Sequence, residues 1–228
     1  MVEEFAKKIT WLGHDGFRID AGKTVYFDPY QITGGPEADL ILISHEHFDH
    51  CSPEDVAKIQ GPKTVIVTEK DSAKKLEGDV RVMAPGQSLT VEDVKIKALP
   101  SYNTDKDFHP KDNDWLGFVV EMEGVRIYHA GDSDFIPEMR ELDVDIALLP
   151  VSGTYVMTDE QAVEAALASP EAALAGGGVH VRPEEAGGVG LVREILVAAI
   201  VPGEEDDGVL FQAEFLQEGE YLLSLIHI

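Results

Sequence analysis

Apolar residues in this chain come in short runs separated by turn-forming clusters. Lys8-Ile9-Thr10-Trp11-Leu12 predicts a strand that stops at Gly13-His14-Asp15-Gly16. Phe17 to Asp20 alternates apolar and polar, Ala21-Gly22-Lys23 turns, and Thr24 to Phe27 returns. That is the pattern of a β-hairpin, closed here by Asp28-Pro29. Leu40 to Ile43 carries no charge and predicts a short buried strand. Ser52-Pro53-Glu54-Asp55 predicts a helix start, with Ser52 as cap, Pro53 at the first helical position and Asp55 completing a capping box. This helix is expected to reach about Gln60 and stop at Gly61-Pro62. Thr64 to Thr68 is a β-branched strand, Asp71 to Leu76 a short helix, and Met83 to Leu99 further strand around a Pro85-Gly86 turn. Trp115 to Met122 and Val125 to His129 form a second hairpin across Glu123-Gly124. Asp134 is expected to open a short helix. Asp145 to Val151 is a buried strand, and Thr158-Asp159-Glu160-Gln161 caps a helix to Ala168. Alternation of strand and helix points to a layered α/β fold.

The chemistry sits where these strands end. The Leu40 strand runs into Ser44-His45-Glu46-His47-Phe48-Asp49-His50, an H-x-H-x-D-H pattern. Imidazole nitrogen and carboxylate oxygen are ligands that Zn²⁺ and similar ions prefer. His45 and His47 can reach one ion, while Asp49 and His50 face a second beside it. A second strand ends in His129-Ala130-Gly131-Asp132, where glycine lets the backbone approach closely and one carboxylate can hold two cations. His129 points the opposite way from Asp132 along the strand and reads as support. The polar stretch 101–114 has no periodicity and the length of a functional loop; it contains His109. His14 reads either as a group near the metals or as a histidine holding its own turn. Asp28 reads as orienting a ligand histidine or as capping its turn. Ser152-Gly153-Thr154-Tyr155 lies at a strand end, where substrate or a mere connection would fit.

Composition narrows the function. The 228 residues suit one domain with a sizeable core. A net charge of −25 repels polyanions and argues against a nucleic-acid partner. No apolar run is long enough to span a membrane, and no secretory leader follows Met1, so a cytoplasmic protein acting on a small molecule is expected. The single Cys51 excludes an internal disulfide and fits a reducing compartment.

H-x-H-x-D-H after an apolar strand, with W-L-G-H-x-x-F-x-I before it and G-D-S at Gly131 to Ser133, resembles the metallo-β-lactamase superfamily. Its branch of small metal-dependent hydrolases, similar to L-ascorbate-6-phosphate lactonase and N-acyl-phosphatidylethanolamine phospholipase D, is the nearest flavour. The resemblance covers roughly residues 8 to 168. It implies an α/β four-layer αββα sandwich holding two metal ions, Zn²⁺ or alternatively Mn²⁺. It implies His45, His47 and His109 at the first ion, Asp49, His50 and His180 at the second, and Asp132 bridging. His109 stands in for a strand-end histidine the family usually has near Leu99-Pro100-Ser101, or else faces substrate at the mouth. The implied reaction is hydrolysis of a small ester, lactone or phosphodiester by a metal-bridging hydroxide, with Asp49 as the catalytic group that aligns the water and shuttles a proton.

The resemblance fades beyond the helix ending at Ala168. Residues 1–168 read as the hydrolase domain and 169–228 as an atypical tail. His180 follows three glycines, poor strand material, and no lysine occurs after Lys111. A frame-shifted or spuriously joined segment after about Ser169 explains this better than divergence. The rival to an active hydrolase is a degenerate, non-catalytic metal-binding member whose second site is incomplete.

Overall fold

The computed structural model describes residues 2–168, 196–200, 209–216 and 220–227. A short helix α1 (Val2–Ala6) leads into β1 (Ile9–Gly13), β2 (Gly16–Ala21), β3 (Lys23–Phe27), β4 (Ala38–Leu42), α2 (Pro53–Ile59), β5 (Gln60–Thr68) and β6 (Asp79–Val82). These six strands lie side by side in chain order. β1, β2 and β3 are antiparallel; β3, β4, β5 and β6 run parallel. Then follow β7 (Ser88–Val91), β8 (Val94–Pro100), β9 (Leu116–Met122), β10 (Val125–His129), β11 (Ile146–Pro150), α3 (Asp159–Ala168), β12 (Leu196–Ile200), β13 (Val209–Leu216) and β14 (Glu220–His227). They form an eight-stranded sheet, again in chain order. It is antiparallel except where β10, β11 and β12 run parallel.

Alternation along the strands explains the layers. Phe17, Ile19, Val25, Phe27, Leu40 and Leu42 of the first sheet pack against Ile96, Phe118, Val120, Ile127, Ile146 and Leu148 of the second. The opposite face of the first sheet carries Tyr26, Ile41 and Ile66, covered by Val56 and Ile59 of α2. The outer face of the second carries Tyr128, Ala147 and Leu149, covered by Met139 and by Ala162 and Ala165 of α3. Helix, sheet, sheet, helix is the expected four-layer sandwich, with both faces of the central strands buried. No helix among the described residues is long and apolar enough to cross a membrane.

Local chemistry follows the sequence closely, with three corrections. Thr158 and Gln161 form a reciprocal capping box: Gln161 N donates to Thr158 Oγ1 at 3.2 Å and Thr158 N to Gln161 Oε1 at 3.0 Å. At α2, Ser52 caps as expected, accepting from Asp55 N at 3.3 Å. Asp55 does not close the box, because its carboxylate accepts instead from Gln31 N at 3.0 Å and Ile32 N at 3.1 Å. Asp134 opens no helix; the following turn of 3₁₀ helix starts at Pro137, with Ile136 in the position before it and no side-chain cap. The buried Asp134 carboxylate accepts from Thr104 N at 2.8 Å and Lys106 Nζ at 2.6 Å, which fixes the loop after β8. The helix expected at Asp71–Leu76 is a 3₁₀ turn, Ser72–Lys75.

Asp55 joins α2 to the β3–β4 connection and also accepts from Lys58 Nζ at 2.8 Å. Burial raises its pKa, but Lys58, Ser52 and the Gln31 amide outweigh burial and hold it below the usual aspartate value. Asp55→Ala strands two backbone N–H groups and is expected to destabilise the fold by about 2 to 4 kcal/mol in urea titrations. A depressed folded pKa stabilises above the unfolded value of about 4 and loses that stability as pH falls through the folded value. The gap between wild type and Asp55→Asn should therefore shrink on acidification; a gap constant down to the acid transition would contradict the assignment.

Candidate metal centre

The site begins with a backbone irregularity. Asp28 follows β3 in the left-handed region, φ 38°, and its N–H donates to Leu42 O at 3.0 Å, extending the β3–β4 ladder. Asparagine and aspartate tolerate this conformation better than other side chains. The turn aims the buried carboxylate inward. Oδ1 accepts from Ser44 N at 2.7 Å, and Oδ2 accepts from Ser44 Oγ and from His50 Nδ1 at 2.9 Å. Ser44 Oγ donates to Asp28, so it accepts from His45 Nδ1, 2.9 Å away. One carboxylate thus holds a proton on Nδ1 of both histidines and leaves Nε2 as the ring atom of each that faces away from it.

Those two Nε2 atoms are buried and make no hydrogen bond. An orphaned buried acceptor is costly unless something binds it. The segment after β4 curls back through His50 N to His47 O at 3.0 Å and Cys51 N to His47 O at 2.8 Å. His45 and His47 therefore face one point, with ring centroids 4.6 Å apart. His109 arrives from the loop after β8, held by Asn103 Oδ1, which accepts from its N–H and from Nδ1, each at 3.0 Å. Asp132 arrives from the end of β10. Ligand atoms of His45, His47, His109 and Asp132 all lie within 4.8 Å of one another.

His14, Asp49 and His50 form a second such group. His14 Nε2 lies 3.4 Å from Asp49 Oδ2, and His50 Nε2 lies 3.3 Å from Asp132 Oδ2 without hydrogen-bond geometry. Asp132 Oδ2 is also 3.0 Å from His109 Nε2. Asp132 thus stands between the two groups. Gly131 makes this approach feasible: φ is 57°, and a Cβ there would meet Ser44 Cβ at 2.8 Å. Trp115 walls the first group, its ring centroid 4.7 Å from those of both His45 and His47.

Charge is distributed unevenly. Burial and the neighbouring His50 push the His45 pKa well below its ordinary value. Burial and His109 lower His47 as well. His50 goes the other way: burial opposes its charge, but Asp132 and Asp28 outweigh burial and raise it well above normal. Burial opposes ionisation of Asp132 too, yet His50 and His109 hold its pKa well below normal. Beneath them Asp15 is buried with both oxygens lacking hydrogen-bond partners, and burial raises it to about 7.

Six of the seven residues expected from sequence meet here: His45, His47, Asp49, His50, His109 and Asp132. The seventh, His180, lies outside the described residues. His129 is buried under the site as support, stacked on Phe27 at 4.9 Å, with Nε2 donating to Asp15 O at 2.9 Å. Of the two readings of Asp28, the hydrogen bond to His50 Nδ1 fits the orienting one. His14 was legible only as one of two readings; its φ of 51° turns the imidazole toward Asp49 and His50. Asp15 and Ser44 were missed. A serine directly before the first histidine and an aspartate inside a G-H-D-G turn were the available signals.

A cleft of about 1270 Å³ opens over the donors, lined by His14, His47, Asp49, His109 and Asp132 among others. A family model described as a beta-lactamase superfamily domain matches residues 8–169. The UPF0173 metal-dependent hydrolase of Thermococcus onnurineus is 35% identical over 177 residues, covering 69% of this chain and 78% of that protein. A crystal structure from Parabacteroides distasonis is 36% identical with a TM-score of 0.66, covering 71% of this chain and 77% of the other. Igni18, a metallo hydrolase from Ignicoccus hospitalis, shares the fold at 23% identity with a TM-score of 0.57, covering 70% and 77%. The matched region contains the described strand ends that bring donors to the cleft, and the chain belongs to the metallo-β-lactamase superfamily.

Proposed function

We propose that this chain, a metal-dependent hydrolase of the metallo-β-lactamase superfamily, uses two divalent ions to hydrolyse a small ester, lactone or phosphodiester. The observation that carries this reading is the pair of buried, unpartnered Nε2 atoms of His45 and His50 flanking Asp132. Imidazole and carboxylate donors suit Zn²⁺, with Mn²⁺ the alternative. His45, His47 and His109 would hold the first ion, His50, Asp49 and His14 the second, and Asp132 both. Bound ions of this kind supply acidified water and polarise a carbonyl or phosphoryl oxygen.

The chain's own residues do the rest. Asp28 holds His45 through Ser44 and His50 directly, so neither ring needs to reorganise. Asn103 does the same for His109. Asp49 stands at the cleft floor beside His14, placed to accept a proton from water and return it to the leaving group. All these donors precede residue 133, which supports residues 1–168 as the functional domain. The second reading, a degenerate metal-binding protein, draws on the second group's dependence on His14 in place of a terminal histidine.

Metal content tests the first group. His45→Ala/His47→Ala should lose most of the bound Zn²⁺ seen by elemental analysis of wild type, and activity on ester and phosphodiester substrates with it. Equal metal in both proteins would end the assignment. Stoichiometry separates the donors of the second group: His14→Ala should lower bound metal toward one ion per chain, while His180→Ala leaves it unchanged. The reverse outcome would make the tail part of the site. The −25 charge predicts no retention of DNA or RNA in gel shifts at low salt; a salt-sensitive shift would contradict it.

A further inference from the structure

Among the described residues, three of the five large apolar side chains left exposed rim the cleft: Phe48 at 74%, Phe108 at 50% and Tyr155 at 54%. They come from three separate segments, the loop after β4, the loop after β8 and the loop after β11. Phe108 and Tyr155 meet edge to face with centroids 4.9 Å apart, and Phe48 meets Tyr30 at 6.0 Å on the other side. Exposed aromatic rings gathered at one mouth mark a recognition surface rather than scattered surface residues. Trp11, Leu12, Val151 and Val156 continue the apolar lining inward.

The same cleft offers no side-chain cation for an anionic substrate. Among the described residues its lining contains no lysine or arginine, and of its carboxylates Asp107 lies outside the metal-binding groups. The sequence beyond residue 169 holds only Arg182 and Arg193 as cations. Sites that take phosphate groups use guanidinium or ammonium groups to hold oxygens the metal does not reach.

Resting on the hydrolase reading above, we propose that the substrate is an uncharged carboxylic ester or lactone with an apolar acyl chain lying between Phe108, Tyr155 and Phe48. Water oxygen bonds to the acyl carbon, and the bond from that carbon to the alcohol oxygen breaks. The alcohol leaves with one proton of the water, and the other proton passes to solvent from the carboxylic acid. The apolar chain stays at the rim while the carbonyl reaches the donors at the floor.

The test uses the full chain loaded with Zn²⁺ and three probes: p-nitrophenyl acetate, p-nitrophenyl octanoate and bis-p-nitrophenyl phosphate. Each fully buried methylene is worth about fourfold, and a half-open rim captures only part of that. The octanoate ester is expected to exceed the acetate in kcat/KM by about tenfold or more, and the phosphodiester to be the poorest. Phe108→Ala/Tyr155→Ala should lower the octanoate-to-acetate ratio at least fivefold with bound Zn²⁺ unchanged, and Phe108→Leu should keep most of the ratio. Preference for the phosphodiester, or a ratio near one that the variants do not move, would overturn the proposal. Calorimetric binding of octanamide, an uncharged chain of the same length, provides a readout without turnover. Octanamide binding weakened by the rim variant, in a protein inactive on all three esters, would sustain the apolar mouth and sink the hydrolase reading. Absence of octanamide binding together with a flat ratio would sink the apolar mouth alone, wherever hydrolysis persists.

Discussion

The arrangement depends on one buried carboxylate, Asp28. It is the acceptor for Ser44 N, Ser44 Oγ and His50 Nδ1, and through Ser44 it governs His45. Its conformation at positive φ costs on the order of 1 to 3 kcal/mol. Three hydrogen bonds to a charged acceptor, each contributing about 1.5 to 3 kcal/mol, offset that cost. The strain persists because the parallel ladder between β3 and β4 holds the backbone on either side of the turn. A property of the sheet is thereby converted into the tautomers of two histidines.

Positioning of Asp132 depends on a second constraint, the seam between the two sheets. Leu116 N donates to Ser44 O at 3.0 Å, tying the start of β9 to the end of β4. Gly131 packs into the same seam with no room for a side chain. The residue that orients His45 is therefore also the residue against which the Asp132 turn is seated. Donors from different sheets keep their spacing because both sheets are referenced to Ser44. This is the structural content of a strand-end G-D motif next to an S-H-x-H motif.

Much of this was legible in the sequence, because its periodicities and turn residues are mutually consistent. Runs at 40–43, 64–68 and 146–151 lack charge because helices cover the outer face and the opposite sheet covers the inner one. Glu123-Gly124 takes two positive φ values, 48° and 78°, the geometry that a tight hairpin turn selects. The motif residues could be named because H-x-H-x-D-H concentrates donors in one turn. Long-range pairings were the illegible part. Asp55 looks like a capping-box residue locally, yet its oxygens go to Gln31 and Ile32, over twenty residues away. Asp134 looks like a helix start, yet it holds the loop that carries His109. Each carboxylate had a plausible local role, and a distant backbone N–H without another acceptor won it. His14 stayed ambiguous because its partner, Asp49, lies on a different strand end.

Electrostatics links the pieces into one device. A −25 chain gathers Asp15, Asp28, Asp49 and Asp132 around five histidines, with no lysine or arginine among the described lining of the cleft. Carboxylates packed this closely repel one another, and burial magnifies the repulsion. In the protein alone, part of the relief comes from Asp15, whose burial raises its pKa to about 7. Divalent cations relieve the same repulsion more completely, since each brings two charges where a proton brings one. Burial that disfavours a proton on His45 leaves its lone pair available at neutral pH. The carboxylates at the floor would be satisfied by those cations, and the mouth above them presents apolar rings with no lysine or arginine among its described lining.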